Sequence, residues 1–185
     1  MKIPPQAERV FEGVIFDVYQ WQQEMFDGSK QTFERLRRPG TVVVIPVVGE
    51  KILLSREEQP GMKEVSTLLG GRIEEGEEPL NAAKRELLEE SGYASDDWEL
   101  WRTYEPISKM DWQIFVFIAR NCKKVAEQKL DAGEKITVEE LTFDQFVEKV
   151  VDKDFSETEI SNEVYRMRAE GQLEKFKEVL FKESN

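Results

Sequence analysis

Residues 70–93, GGRIEEGEEPLNAAKRELLEESGY, hold seven glutamates in 24 positions. Three of them, Glu86, Glu89 and Glu90, crowd directly behind Arg85. On a helix, Glu86 and Glu90 lie about 40° apart, with Glu89 about 60° to the other side of Glu86. The three carboxylates can therefore share one face. Like charges one turn apart cost roughly 0.2–0.5 kcal/mol per exposed pair. The macrodipole adds to that cost at a helix C-terminus. Selection for helix stability alone would put lysines there. Two readings stand: a solvated acidic face in an acidic protein, or oxygen ligands for a divalent ion such as Mg²⁺. A glycine-rich loop whose backbone can approach closely suits the second.

The rest of the composition narrows the chemistry. The 185 residues suit one domain with an extension, and 39% hydrophobic content is enough for a core. With no histidine and only Cys122, the chain has no His-based triad, no His-ligated zinc, no CxxC site and no disulfide framework. Catalysis must then rest on carboxylates, Lys, Tyr, Ser or metal ions. The net charge of −12 argues against a nucleic-acid partner, because an acidic surface repels phosphate backbones. MKIPPQAERV lacks the apolar core of a signal peptide, and no 18-residue apolar run occurs, so no membrane partner is expected. These features lead us to expect a soluble protein of a reducing, cytoplasmic compartment.

The elements that must position the glutamates are legible in outline. Residues 9–26 are rich in Val, Ile, Phe, Tyr and Trp, Asp27-Gly28 signals a turn, and QTFERLRR reads as a returning strand. TVVVIPVV (41–48) is a continuous apolar run, as expected of a strand buried on both faces. GEKILLSRE turns at Gly49-Glu50 into another strand, and QPGMKE (59–64) reads as a loop. Pro79 suits the first turn of a helix over LNAAKRELLEES, with Gly92 as its stop. Leu80, Ala83, Leu87 and Leu88 are its expected core-facing stripe. WELWRTYEP, WQIFVFIAR and ITVEELTF read as strands. TFDQFVEKVV reads as a helix with a threonine N-cap, and helices fill the chain from Ser156 onward. The mixture predicts an α/β or α+β fold packed in layers.

Residues 71–93 resemble the signature of the Nudix hydrolase family, G-x5-E-x7-R-E-U-x-E-E-x-G-U, where U is bulky and apolar. Gly71, Glu77, Arg85, Glu86, Leu87, Glu89, Glu90 and Gly92 fall at the fixed positions, and Tyr93 is an aromatic departure at the last. The resemblance implies an α/β/α sandwich with a mixed sheet, a small N-terminal antiparallel sheet and C-terminal helices. It implies that Glu86 and Glu90 are metal ligands, that Glu89 is a further ligand or the water-activating base, and that the Gly70 carbonyl ligates metal. Arg85 and Glu77 would pair and hold the loop against the helix. The implied cofactor is Mg²⁺, with Mn²⁺ as an alternative.

Flanking residues 9–150 resemble the ADP-ribose and nucleotide-sugar pyrophosphatase branch. On that resemblance residues 1–40 form an N-terminal strand region for dimerisation and substrate contact, 41–150 the hydrolase domain and 151–185 a helical extension. Pro106 matches a proline that follows the box in that branch. Glu134, with Asp131 close by, matches a late-loop acid that serves as general base, so it competes with Glu89. Two departures bear on substrate: TLLGG (67–71) puts Thr67 where the branch often has glutamate, and Glu58 stands where it often has arginine. Arg56 could substitute for that arginine from an offset position.

Trp21, Tyr19 and Trp112 could stack a base or fill strand core and dimer contacts. Trp21 is the candidate contact across a homodimer. Arg35, Arg37 and Arg38 could meet phosphate or form a solvated strand edge. The implied activity is Mg²⁺-dependent cleavage of a nucleoside diphosphate derivative, ADP-ribose or a nucleotide sugar, to a nucleoside monophosphate and a phosphorylated product. Alternatives are a hydrolase of nucleoside triphosphates or dinucleoside polyphosphates, and a ligand-binding sensor without catalysis.

Overall fold

The computed structural model describes residues 2–182. In chain order the elements are β1 (Glu8–Phe11), β2 (Asp17–Glu24), β3 (Lys30–Arg37), β4 (Thr41–Val48), β5 (Lys51–Glu58), β6 (Val65–Thr67) and β7 (Leu69–Arg72). Then come α1 (Pro79–Ser91), β8 (Tyr93–Ala94), β9 (Asp97–Tyr104), β10 (Met110–Asp111), β11 (Ile114–Arg120), β12 (Lys123–Lys124) and β13 (Lys135–Leu141). Three helices close the chain: α2 (Phe143–Val150), α3 (Thr158–Ala169) and α4 (Leu173–Leu180).

The main sheet is mixed, in the order β13-β5-β4-β11-β9. Its centre is β4, parallel to β11 and covered on both faces, which is why TVVVIPVV needs no polar alternation. One face packs Val42, Val44, Leu53, Leu69 and Phe117 against Ala82, Ala83 and Leu87 of α1. The other packs Ile45, Ile52, Leu54, Val116 and Ile118 against Phe146, Ile160, Val164, Phe176 and Leu180 of the last three helices. A second sheet, β1-β2-β3-β10, carries the N-terminal hairpin. Its outermost part leaves Phe11, Val14, Ile15 and Phe26 exposed.

The β4–β5 hairpin pairs only at its closed end, Val47 with Ile52 and Val48 with Lys51. Beyond that the strands splay, and residues 65–72 fill the gap as a V. The chain enters along β5, with Glu57 opposite Val65 and Ser55 opposite Thr67. It reverses at Leu68 and leaves along β4, with Val44 opposite Leu69 and Thr41 opposite Arg72. Leu68 turns into the α2–α4 core and Leu69 into the α1 core. The stretch expected as a glycine loop is therefore partly a strand. Its backbone bonds go to β4, a partner that local sequence does not announce.

Local chemistry sets the helix ends. Pro79 occupies the first turn of α1, and no side chain caps that end. Gly92 ends the helix at φ 70°, and its N–H donates to the Leu88 carbonyl. In α2, Thr142 and Gln145 form a reciprocal capping box. The expected stripe on α1 needs correction. Leu80 and Leu88 are exposed, and the buried positions are Ala82, Ala83, Leu87, Glu90 and Ser91. Small alanines let the helix lie close on the sheet, and the i, i+3 and i+4 partners of Leu87 are a glutamate and a serine. The arginine cluster is likewise not a solvated edge throughout: Arg35 is buried and donates to the Ser108 carbonyl.

Gly92 carries two constraints, because a Cβ there would sit 2.0 Å from the Ala126 carbonyl oxygen, whereas Gly76, at φ 77°, has open space. Gly76→Ala should cost about 1–2 kcal/mol from the left-handed backbone alone. Gly92→Ala should cost about 1–3 kcal/mol more, the scale of overpacking. Urea unfolding of the two variants measures the difference.

Candidate active site

The site forms where the C-terminal half of α1 faces β7. Glu90 lies about one helical turn beyond Leu87 on the buried stripe, so its carboxylate enters the core edge rather than solvent. Its Oε2 accepts the Gly70 N–H at 2.8 Å. Position 70 must be glycine on two grounds. Its φ is 153°, and a Cβ would lie 2.1 Å from the Val42 carbonyl oxygen. Gly71 lies under Glu86, whose Oε1 would be 2.5 Å from a Cβ there. Gly71 thus lets the Glu86 carboxylate close onto the strand, while Gly70 lets the strand lie against β4 with its N–H on Glu90.

Arg85 ties the box together. Its Nε and Nη2 hold both oxygens of Glu77 at 3.1 and 3.0 Å, a bidentate pair. Nη2 also donates to the Arg72 carbonyl at 3.1 Å, clamping the end of β7. Nη1 reaches Glu86 Oε1 at 2.8 Å and Glu89 Oε2 at 3.2 Å. Hydrogen bonding from Arg85 holds Glu77 below the usual carboxylate range, and Glu77 in turn raises Arg85. The C-terminal carbonyls of α1 are satisfied from residues 124–129. Lys124 donates to Ser91, Gln128 to Glu90, and the Lys129 N–H to Glu89.

The acidic groups share one electrostatic environment. Burial pushes Glu90 up to about 9, against the Gly70 hydrogen bond, and Glu86, Glu57 and Glu134 push it further. Burial also raises Glu86 and Glu134, with Glu134 acting on Glu86 and both Glu57 and Glu89 acting on Glu134. The structure therefore brings Glu134 from the loop before β13 to the box glutamates. It also brings Glu57, which the sequence reading missed. A signal existed in strand alternation, since Leu53, Ser55 and Glu57 share the α1-facing side of β5.

Other expected site residues lie elsewhere. Arg56 alternates to the opposite face of β5, where it pairs with Glu139 at 2.7 Å and Glu64 at 3.5 Å. Trp21 sits in the N-terminal sheet, its ring against Phe33 and its indole N–H on Gln23. Pro106 is half-buried in the connection between β9 and β10. Tyr19 and Trp112 lie under the guanidinium groups of Arg37 and Arg38, at 4.6 and 4.5 Å.

The donor set suits a hard, oxygen-seeking divalent ion: three box carboxylates, a backbone carbonyl at a close-approach glycine, and further acids at the rim. Among the described residues no three acids converge at ligating distance, and Arg85 engages both Glu86 and Glu89.

Comparisons with known proteins agree with this geometry. The family model of the NUDIX domain matches residues 37–160. ADP-ribose pyrophosphatase of Bacillus subtilis (strain 168) is 29% identical over 147 residues, covering 77% of this chain and 80% of that protein. A methanol dehydrogenase activator of Bacillus methanolicus is 28% identical over 151 residues, covering 80% of this chain and 82% of that protein. ADP compounds hydrolase NudE of Escherichia coli (strain K12) is 33% identical over 96 residues, 49% of this chain and 50% of that protein. A crystal structure of an ADP compounds hydrolase superposes with a TM-score of 0.71 at 22% identity, covering 91% of this chain and 95% of that one. That likeness bears out the mixed-sheet sandwich with C-terminal helices.

The Glu90 shift has a measurable sign. Its folded pKa of about 9 lies above the ordinary value of 4.5, so the folded chain binds the extra proton between those limits. In EDTA, stability should fall as pH rises through that window, by up to about 1.4 kcal/mol per pH unit. Glu90→Gln should flatten the fall in denaturant titrations at stepped pH.

Proposed function

The chain belongs to the NUDIX family and is a hydrolase of the ADP-ribose pyrophosphatase-like kind, and from that standing we propose that it is a Mg²⁺-dependent pyrophosphohydrolase. It cleaves the diphosphate of a nucleoside diphosphate derivative, ADP-ribose or a nucleotide sugar, to a nucleoside monophosphate and a phosphorylated product. The observation that carries the reading is the Glu90 carboxylate, buried on the Gly70 N–H amid Glu57, Glu86 and Glu134. Such a cluster is poorly stabilised by the protein alone and well matched to a divalent ion.

Glu86, Glu90 and the Gly70 carbonyl would hold the ion, with Glu89 free to join. A bound ion supplies charge neutralisation for the diphosphate and water activation near neutral pH. Arg85, through Glu77 and the Arg72 carbonyl, keeps β7 seated on α1 while Glu86 and Glu89 turn to their work. Of the two candidates, Glu134 is our choice of base. Its pKa is raised, and its bond to the Asp131 N–H at 3.4 Å is loose, whereas Glu89 shares Arg85.

The exposed Phe11, Val14 and Ile15 support a homodimer formed through residues 1–40, with Trp21 on the same sheet. Among the described residues no helix is long and apolar enough to cross a membrane.

A panel of ADP-ribose, ADP-sugars and GDP-sugars, assayed for released monophosphate with Mg²⁺, tests the reading. At least one should turn over, and Glu90→Gln should lower kcat by about 100-fold or more. Failure of every diphosphate, or full activity in Glu90→Gln, would sink it. Mg²⁺ at 100 times its Kd should add about 2.7 kcal/mol of stability, seen as a raised Tm.

A further inference from the structure

The apex of the V is gripped by a distant part of the chain. The connection between α2 and α3 lays Phe155 beside Ser66 in a parallel bridge. The Ser66 N–H donates to the Asp154 carbonyl at 3.1 Å, and the Ser156 N–H donates to the Ser66 carbonyl at 3.0 Å. One residue on, the Glu157 carboxylate accepts the Thr67 hydroxyl on one oxygen and the Leu68 N–H on the other, the latter at 3.3 Å. From β5, the Ser55 hydroxyl donates to the Thr67 carbonyl at 2.9 Å.

Glu157 stands at the N-cap of α3, where a carboxylate ordinarily bonds its own helix. It makes no such bond and reaches across to the V instead. Its carboxyl is enclosed, and burial raises its pKa against hydrogen bonds from Thr67, Ser156 and Leu68. A buried carboxylate is retained at a cost in stability unless its oxygens are well used. Here they fix the peptide at which the chain turns from its pairing with β5 to its pairing with β4. Leu68 is locked on the α2–α4 side and Leu69 on the α1 side, and the next residue is Gly70, whose N–H holds Glu90. A tilt at this apex moves Gly70 relative to α1.

We infer that Glu157 is a positioning residue of the divalent-ion site: through Thr67 and Leu68 it sets Gly70 against Glu90, and so sets the affinity for the ion. The inference rests on the metal-site reading of Gly70, Glu86 and Glu90 proposed above. It also gives a physical role to Thr67, whose hydroxyl Glu157 accepts. Here the acid comes from the start of α3 and the strand supplies the hydroxyl.

Mn²⁺ binding to the intact chain, followed by electron paramagnetic resonance, tests it without reference to turnover. Glu157→Leu removes both acceptors and should weaken Mn²⁺ binding about tenfold, as for groups that orient metal ligands. Glu157→Gln keeps an acceptor for the Leu68 N–H and a partner for the Thr67 hydroxyl, and should restore affinity close to that of the unaltered chain. Glu170→Gln, at the exposed end of α3, should leave binding unchanged. A solely structural role would lower the Tm of Glu157→Leu without moving its Mn²⁺ Kd at temperatures well below that Tm. The inference is overturned if folded Glu157→Leu binds as tightly as the unaltered chain, or if the Leu and Gln variants bind alike. Should Glu157→Leu not fold, Thr67→Val removes the hydroxyl alone: weaker binding supports the inference and unchanged binding overturns it. An unaltered chain that binds no Mn²⁺ overturns the metal-site reading and this inference together. Binding that Glu157→Leu leaves unmoved overturns this inference alone.

Discussion

A carboxylate set on the buried stripe of a helix loses its water, and it is tolerated only if something nearby replaces that water. Glu90 is so placed, and the Gly70 N–H is what the fold offers it. That hydrogen bond and the one from Arg85 to the Arg72 carbonyl join α1 to β7. The donor to Glu90 is a residue without a Cβ, because a Cβ at position 70 would lie 2.1 Å from the Val42 carbonyl oxygen of β4. Four residues earlier on the helix, Glu86 packs on Gly71, where a Cβ would meet its carboxylate. The other acids around it leave the site short of positive charge, which is the condition a divalent ion and an anionic substrate together relieve.

The approach is possible because β4 and β5 part after a two-residue ladder. An ordinary hairpin would satisfy its own backbone and leave no opening. The splayed strands must instead be paired by a third segment, and residues 65–72 pair with each in turn. The reversal at Leu68 is the weak point of that device, since a sharp turn in the interior has few partners of its own. Ser55 from the sheet and Ser156 and Glu157 from the C-terminal part supply them. The helices that end the chain thus belong to the same core as the sheet, and they also brace the strand that carries the glycines.

Arg85 balances the charges without cancelling the site. Its bidentate grip on Glu77 and its bond to the Arg72 carbonyl are structural, and its third nitrogen is shared between Glu86 and Glu89. A guanidinium can divide its five donors in this way, whereas a lysine ammonium could not span the loop, the strand and the helix face at once. Among the described residues the division gives Glu90 no cationic partner, and burial is the largest influence on its titration.

Sequence by itself determined the pieces whose cause is local. The spacing of Gly71, Glu77, Arg85, Glu86, Glu89 and Glu90 fixed the family resemblance, Pro79 and Gly92 bounded α1, Thr142 announced the N-cap of α2, and the run of β-branched residues at 41–48 announced the central strand. Helical period also put the three glutamates on one side of the helix, though it misjudged the buried stripe by assigning Leu80 and Leu88 to the core. The reason is that periodicity ranks faces by hydrophobicity, while the sheet beneath selected the face with small residues and with Glu90. Only tertiary structure decided that the glycine loop is a strand on β4, that Glu57 and Glu134 reach the box while Arg56 turns away, and that Glu157 holds the apex. Each of these depends on which distant segment closes onto which edge, and a single strand's alternation gives the side of a sheet only after the sheet itself is known.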